Sequence, residues 1–453
     1  MKRFWLILLS LGLVMAFNAS AMAVDVKFSG EFYVAGMYLD KTNFTKDNGT
    51  SDGISTAFYY QRLRVRTDFV VSPGLTLVTR FDALERVWGG NRSTPGTTLA
   101  TGSADTLAEK QNIAFDWAYI NYVSPIGTFD VGIMNDGSTG TIFGNSYAPA
   151  GRIKYAYAIG TVTINADITK VKDQSYSAVT NTATTTDADD DKYGLEGVYQ
   201  WKEGRAGMKV TYYRYADTKP AVVGPPPGGN YIKDYTLFTP YAIAKIGPVD
   251  IQTELNYANG YLKSYDSGIL GKDVKLENLT FWIDAIATFS PIYFGATFAY
   301  VSGDDPNTKD RQEGGTLSGG TEWNPCLIMF NYYDRTYWIG GLNGYNAGTT
   351  TTTNAGPMSN AWFGQGKIGV RPIAPLDING SVSYAQADKK PTGVLNNAYG
   401  WEIDVTGTYK ITNNLSYMLG VGYWFVGDYY KGDNNNNGLR DEYMVINKLT
   451  LTF

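Results

Sequence analysis

Apolar and polar residues alternate one by one over long stretches of this chain. In YYQRLRVRTDF, Tyr59 to Phe69, arginines stand at 62, 64 and 66 with Leu63 and Val65 between them and aromatic residues at both ends. A period of two is that of an extended strand, whose successive side chains point to opposite faces. The segment is therefore predicted to be a strand with one basic and one apolar face. The pattern recurs. In LTLVTRFDALERVW, Leu75, Leu77 and Phe81 oppose Arg80, Asp82 and Arg86, and in RIKYAYAI, Ile153 and Tyr155 oppose Arg152 and Lys154. In the last stretch, YMVINKLTLTF, Tyr443, Val445, Leu449, Leu451 and Phe453 share one face, and Lys448, Thr450 and Thr452 the other.

The connections fall into two kinds. Short ones, such as SPG at 72–74, SPIGT at 124–128, KEGR at 202–205, APLD at 374–377 and TNNL at 412–415, carry Gly, Pro or Asn where a tight reversal needs a preset or positive φ. Long ones, around 41–55, 90–110, 137–150, 173–190, 218–231, 262–273, 303–358, 388–397 and 428–440, are rich in Gly, Asn, Thr, Asp and Pro. Short turns that alternate with long loops, about eight against nine, imply about 18 strands with both termini on the short-turn side, or 16 if one hairpin lies in a loop. This is the pattern of an all-β transmembrane antiparallel up-and-down β-barrel, with short periplasmic turns and long extracellular loops. A soluble sandwich has no reason to keep that asymmetry.

Composition changes the picture only after the pattern is read. A mean hydropathy of −0.23 suits a soluble protein, but a barrel that alternates lipid-facing and lumen-facing residues averages to the same value. The first residues, MKRFWLILLSLGLVMAFNASAMA, have a basic start, an apolar run and an A-x-A-like end at Ala21 and Ala23. Residues 1–23 thus read as a signal peptide for Sec-type export, and 24–453 as one outer-membrane barrel domain of a Gram-negative-type bacterium. No later run reaches the roughly 18 apolar residues of a spanning helix. The formal net charge of −5 argues against nucleic acid as a partner. Cys326 is the single cysteine and histidine is absent, so the usual general base and every Ser-His or Cys-His pair are missing. The chain does not read as an enzyme.

A lysine or arginine facing lipid at the bilayer midplane costs about 2–4 kcal/mol, so the charged face of each strand is expected to face the lumen. On this ground Arg62, Arg64, Arg66, Arg80, Asp82, Arg86, Asp116, Asp130, Arg152, Lys154, Lys367 and Arg371 are the expected pore-lining residues. Two readings of the arginines compete. Paired with carboxylates across neighbouring strands they stiffen a polar wall; unpaired, they bias a water-filled passage toward anions. The longest loop contains CLIMFNYYDRTYWIGGL, Cys326 to Leu342, which is expected to be ordered over or inside the pore. In GDNNNNGLRDE, Asp433, Asn435, Asn437 and Gly438 have the spacing that begins a calcium-binding loop, but Met444 stands where the twelfth-position acid belongs. This loop reads first as a solvated turn and only second as a Ca²⁺ site. No other cofactor is implied.

FAYVSGDDPNTKD at 298–310, GWEIDVTGTYKITNNLSYMLGVGYWFVGDYY at 400–430 and RLRVRTDFVVSPGLTLVTRF at 62–81 resemble the alginate-export family of about 18-stranded outer-membrane barrels. That resemblance implies a channel for an anionic polysaccharide, a role that would fall here on Arg62, Arg64, Arg66 and Arg80. The chain departs from the family after FDVGI, where Met134 and Asn135 replace an arginine-glutamine pair. General porins share the leader, the alternation and the terminal Phe453.

Taken together, the sequence supports a porin that lets small or oligomeric hydrophilic solutes, anionic ones among them, diffuse passively. The alternative is a plugged structural or partner-binding barrel, an electron-carrier sheath or adhesin. The expected partners are outer-membrane lipid, a hydrophilic solute and the barrel-assembly machinery, which would read the C-terminal strand ending at Phe453. The sequence does not fix the oligomeric state.

Overall fold

The computed structural model describes residues 24–46, 54–89, 113–173, 189–216, 231–265, 271–347 and 350–453. The expected leader, residues 1–23, lies outside them. The first thirteen strands are β1 (Asp25–Leu39), β2 (Thr56–Ser72), β3 (Leu75–Val87), β4 (Ile113–Ser124), β5 (Gly127–Asn135), β6 (Pro149–Ile159), β7 (Val162–Lys172), β8 (Asp190–Trp201), β9 (Gly204–Tyr215), β10 (Tyr231–Ile246), β11 (Val249–Tyr265), β12 (Val274–Phe289) and β13 (Ile292–Val301). Three short ones follow in the long connection: β14 (Arg311–Gln312), β15 (Leu342–Ala347) and β16 (Thr350–Asn354). The last five are β17 (Ala361–Ile373), β18 (Leu376–Ala387), β19 (Ala398–Lys410), β20 (Leu415–Val426) and β21 (Glu442–Thr452).

β1–β13 and β17–β21 make eighteen strands, each antiparallel to its neighbours in chain order. β1 pairs with β21 in the register Tyr33↔Thr450, which closes the barrel and leaves no free edge. Phe453 completes the seam: Gly30 N–H donates to its carbonyl at 2.8 Å and its own N–H returns to Gly30 O at 3.1 Å. The transmembrane up-and-down barrel expected from the alternation is the observed architecture, with the eight short turns on one side and the nine long connections on the other.

One face of every strand carries the apolar set outward. Phe115, Ile120, Ile153, Leu195, Ile368, Val405 and Leu419 are exposed on the outside, where they meet membrane lipid. Aromatic pairs mark both rims of this band, Phe289 with Phe294 and Tyr199 with Trp201 near the short turns, Tyr59 with Trp88 and Tyr300 with Trp362 near the long loops. Such girdles suit amphipathic rings at the lipid–water boundary.

The main hydrophobic core lies inside the barrel. Tyr33, Ala35, Met37 and Leu39 of β1, Phe363 of β17, Trp424 of β20, and Met444 and Ile446 of β21 point inward and pack on Ile328, Met329, Phe330 and Met358 of the 302–360 loop. This loop fills that side of the lumen, and its middle forms a π-helical turn, Tyr332–Thr336, running into Tyr337–Ile339. At its centre Arg335 is wholly buried. Its guanidinium donates to Ile328 O at 2.7 Å, Gly340 O at 3.2 Å, and Asn354 O and Oδ1 at 3.3 and 2.7 Å. Burial pushes its pKa down to about 10. The planar fork thus pins three turns of one loop at once.

Candidate functional site

The inserted loop hangs from two carboxylates of β19. Glu402 accepts the N–H of Ile328 and of Met329, both at 2.6 Å, and Asp404 accepts that of Leu327 at 3.4 Å. On the other side Asp334 accepts from Tyr60 Oη and from Lys448 Nζ, each at 3.0 Å. A second loop, residues 136–148, leaves β5 and returns to the adjacent β6, but on the way it crosses the lumen to β11. There Glu254 accepts Thr141 N–H at 2.8 Å, Thr141 Oγ1 at 2.7 Å and Gly144 N–H at 3.2 Å. Phe143 stacks on Trp282 at 5.7 Å and meets Trp323 edge-on at 5.1 Å. Gly140 takes φ +75 where a Cβ would strike Tyr241, which lets the strap lie flat on the wall. The two loops join where Glu322 N–H donates to Asn145 O.

The wall of β2 to β9 holds most of the residues the alternation pointed to; it is partly exposed along β2 and β3 and buried at Arg152, Asp167 and Lys209 of β6–β9. Arg64 makes a bidentate pair with Asp82 at 2.7 Å for both bonds. Arg66 pairs with Asp68 at 2.9 Å, and Arg62 lies 3.5 Å from Glu31 and 3.7 Å from Glu85. Arg80 is held from three sides. A bulge in β4 opposite Arg80 and Phe81 turns both Asp116 and Trp117 toward it. Its guanidinium is 2.8 Å from Asp116 Oδ2, 3.7 Å above the Trp117 ring and 4.8 Å from the Tyr147 ring of the strap. Side-chain exposure rises from 14% at Arg62 to 25% at Arg64 and 40% at Arg66, so solvent reaches the ladder.

Arg86 departs from the expectation. Leu84 has φ 53, and the register slips so that Gln61 faces Arg86 and Leu63 faces Ala83. Beyond this bulge Val87 pairs with the inward Tyr60, which places the buried Arg86 on the opposite face, and Glu85 takes the inward position beside Arg62. A bulge shifts the two-residue phase by one, and nothing in DALERV announces it.

The remaining expected residues spread round the barrel. Asp130 accepts from Asn121 at 2.7 Å. Lys154 stands in register with Asp130 on β5 and Asp167 on β7 and has no ion pair among the described residues. Arg152 belongs to a network that includes Lys192 and Lys209, which the sequence reading missed although both stand at alternate positions of their strands. Arg152 and Lys209 contact Asp167 at 2.9 and 3.1 Å, and Lys192 contacts Asp136 at 2.7 Å. Lys367 pairs with Asp284 at 2.6 Å beside a cavity of about 280 Å³. Arg371 sits at the short-turn end, 2.8 Å from Asp377 and 4.7 Å from the Tyr293 ring.

Asp433 lies in an exposed turn held by its own amides. Asn434 Oδ1 accepts from Asn436 N–H and Asn437 Nδ2 donates to Lys431 O, so two amide side chains of this loop serve its own backbone. Cys326, Glu402 and Asp404 form a close buried trio, but both Glu402 oxygens are taken by loop amides.

Set beside solved structures, the chain is similar to Pseudomonas aeruginosa OccK9 (OpdG), with a TM-score of 0.52 and 13% identity over 95% of this chain and 99% of that one. It is also similar to the outer membrane protein OprD from Pseudomonas aeruginosa, with a TM-score of 0.50 and 10% identity over 96% of each chain. In fold, this chain is similar to an outer-membrane protein. At such identities the likeness speaks for the barrel and not for what passes through it. No protein-family model matches the chain, and no curated protein matches its sequence.

Proposed function

We propose that this protein is an outer-membrane channel of a Gram-negative-type bacterium, through which small hydrophilic solutes diffuse down their own gradient. The observation that carries the reading is a closed barrel whose lumen is filled on one side only. An apolar loop packs against β12, β13, β17–β21, β1 and the Tyr60 end of β2, while the rest of β2 and β3 keeps a charged, partly exposed wall. A barrel of this strand number is too wide for side chains to fill alone, and a polar wall next to the filling is what a water-filled passage needs. The reading is of a channel rather than an enzyme, since the polar groups are spent on one another and on holding loops. The terminal strand ending at Phe453 would serve as the assembly signal.

The resemblance to the alginate-export family would add a polyanionic solute. That finer reading draws no support from the ladder, where Arg62, Arg64, Arg66 and Arg80 each have a carboxylate partner. Small neutral or weakly charged solutes fit a balanced wall better. The packed apolar core favours a second reading, a barrel closed by its loop. Removing residues 303–358 separates the two: a channel that already conducts changes its conductance modestly, whereas a closed barrel starts to conduct only after the deletion.

A further inference from the structure

Arginine is the conspicuous residue of this lumen, but its charge is cancelled where it stands. Arg62, Arg64, Arg66 and Arg80 share their wall with five carboxylates, Glu31, Asp68, Asp82, Glu85 and Asp116, and each arginine contacts at least one of them. Facing this wall is Glu322 of the inserted loop. Its main chain is fixed, because its N–H donates to Asn145 O of the strap at 3.0 Å and the preceding Thr321 N–H donates to Ser146 Oγ at 3.1 Å. Two residues beyond Asn145, the Tyr147 ring lies 5.6 Å from the Arg64 guanidinium and 4.8 Å from that of Arg80. Glu322 is therefore carried by the same junction that touches both arginines, and Arg64 and Arg80 are the cations that act on it. Its carboxylate has no hydrogen bond and no ion pair among the described residues. Tyr333, from the same loop, stands beside it and faces Arg62 and Arg64.

We infer that Glu322, and not the arginine ladder, sets the charge preference of the passage, and that the preference is for cations and for solutes bearing an ammonium group. The inference rests on the channel reading above and names the residue that gives the channel its selectivity. A charge whose partners lie against it has a field that dies within a few ångströms. A carboxylate with no ion pair of its own is felt by ions that pass it, over about 10 Å at 0.1 M salt. Four arginines matched against five carboxylates leave the ladder slightly negative on its own, and Glu322 adds to that sign; Lys154, the cation of this wall with no ion pair among the described residues, stands in register with Asp130 and Asp167. Its place on the inserted loop also explains why strand periodicity cannot find it.

The test is reversal potential in a KCl gradient across planar bilayers, on purified full-length barrels whose heat-modifiable gel mobility shows them folded. The wild type should prefer K⁺. Glu322→Gln should lower the K⁺ to Cl⁻ permeability ratio about five-fold, the effect one charge has on an ion passing about 4 Å away in water. Glu322→Lys should carry the ratio further in the same direction. A ratio that neither substitution moves, in a barrel that still conducts, overturns this inference and leaves the channel standing. A wild type that prefers Cl⁻ also overturns it. Absence of conductance steps from the folded wild type removes the channel reading, and this inference falls with it. Both substitutions are on a side chain with no partner, so folding is expected to survive.

Discussion

The N–H of Met329 donates to Glu402 at 2.6 Å, so a loop from one side of the barrel is held by a carboxylate that strand alternation places inside the wall. Ile328 N–H occupies the other oxygen at the same distance, and the apolar residues between Trp323 and Phe330 are thereby pressed onto β19–β21. Hydrogen bonds of this kind contribute about 0.5–1.5 kcal/mol each, and a buried N–H left without its acceptor costs about 1–3 kcal/mol. Glu402→Leu removes both and should loosen the loop without opening the barrel. Cys326, buried two residues upstream of Ile328 and chemically quiet because burial raises its thiol pKa, is a built-in reporter. Maleimide should label it in the folded variant and not in the folded wild type.

Arg335 makes a second, independent prediction. Its four bonds go to carbonyl and amide oxygens of three separate turns, and a lysine ammonium cannot span them. Arg335→Lys should behave much like Arg335→Ala, each giving rapid current fluctuations as the loop samples undocked states. Stable, quiet conductance from Arg335→Lys would show that charge alone holds the loop.

The ladder predicts a stability effect. Replacing Arg62, Arg64 and Arg66 together with Ser leaves Glu31, Asp68, Asp82 and Glu85 without their cations. Because these pairs are partly exposed, the loss should be about 1–3 kcal/mol, between the surface and buried limits. The barrel should unfold at lower temperature in the heat-modifiability assay, and its selectivity should move toward cations. The neutral double variant Arg64→Gln with Asp82→Asn removes a pair without leaving a charge. It should shift the permeability ratio less than Glu322→Gln does.

Much of this was legible in the sequence, and the exceptions have physical causes. The strands, their order and the side of each turn follow from a period of two enforced by the cost of a charge in lipid. That rule correctly sets Arg64, Arg80, Asp116, Glu254 and Glu402 inside. It fails at Arg86, because the bulge at Leu84 inverts the phase locally. It is silent on partners, since Arg64 meets Asp82 only in a register that the sequence does not print. It also misses the apolar lumen of β1 and β21, where Met37, Leu39, Met444 and Ile446 point inward among outward apolar neighbours. Two apolar faces on one strand, together with CLIMF in the longest loop, were the signal that something greasy fills that side.

Acidification should act through Glu322. Burial holds its carboxyl above the ordinary glutamate value, while Arg64 and Arg80 pull it down. The groups facing it are those two arginines, backed by Asp82 and Asp116, with Tyr147 of the strap and Tyr333 of its own loop. A raised pKa means that the charge, present at neutral pH, is lost on descending through a value higher than that of a free glutamate. The cation preference should therefore begin to fall before pH 4.5, the ordinary value, is reached from above. In Glu322→Gln this early component should be missing from a titration of reversal potential.

Water and ions are expected to cross a barrel that is filled on one side only. Single-channel recording of the purified, folded protein in planar bilayers should then show discrete current steps with the 302–360 loop intact, in more than one salt. Steps that appear only after residues 303–358 are removed would contradict this and would make the barrel a closed one.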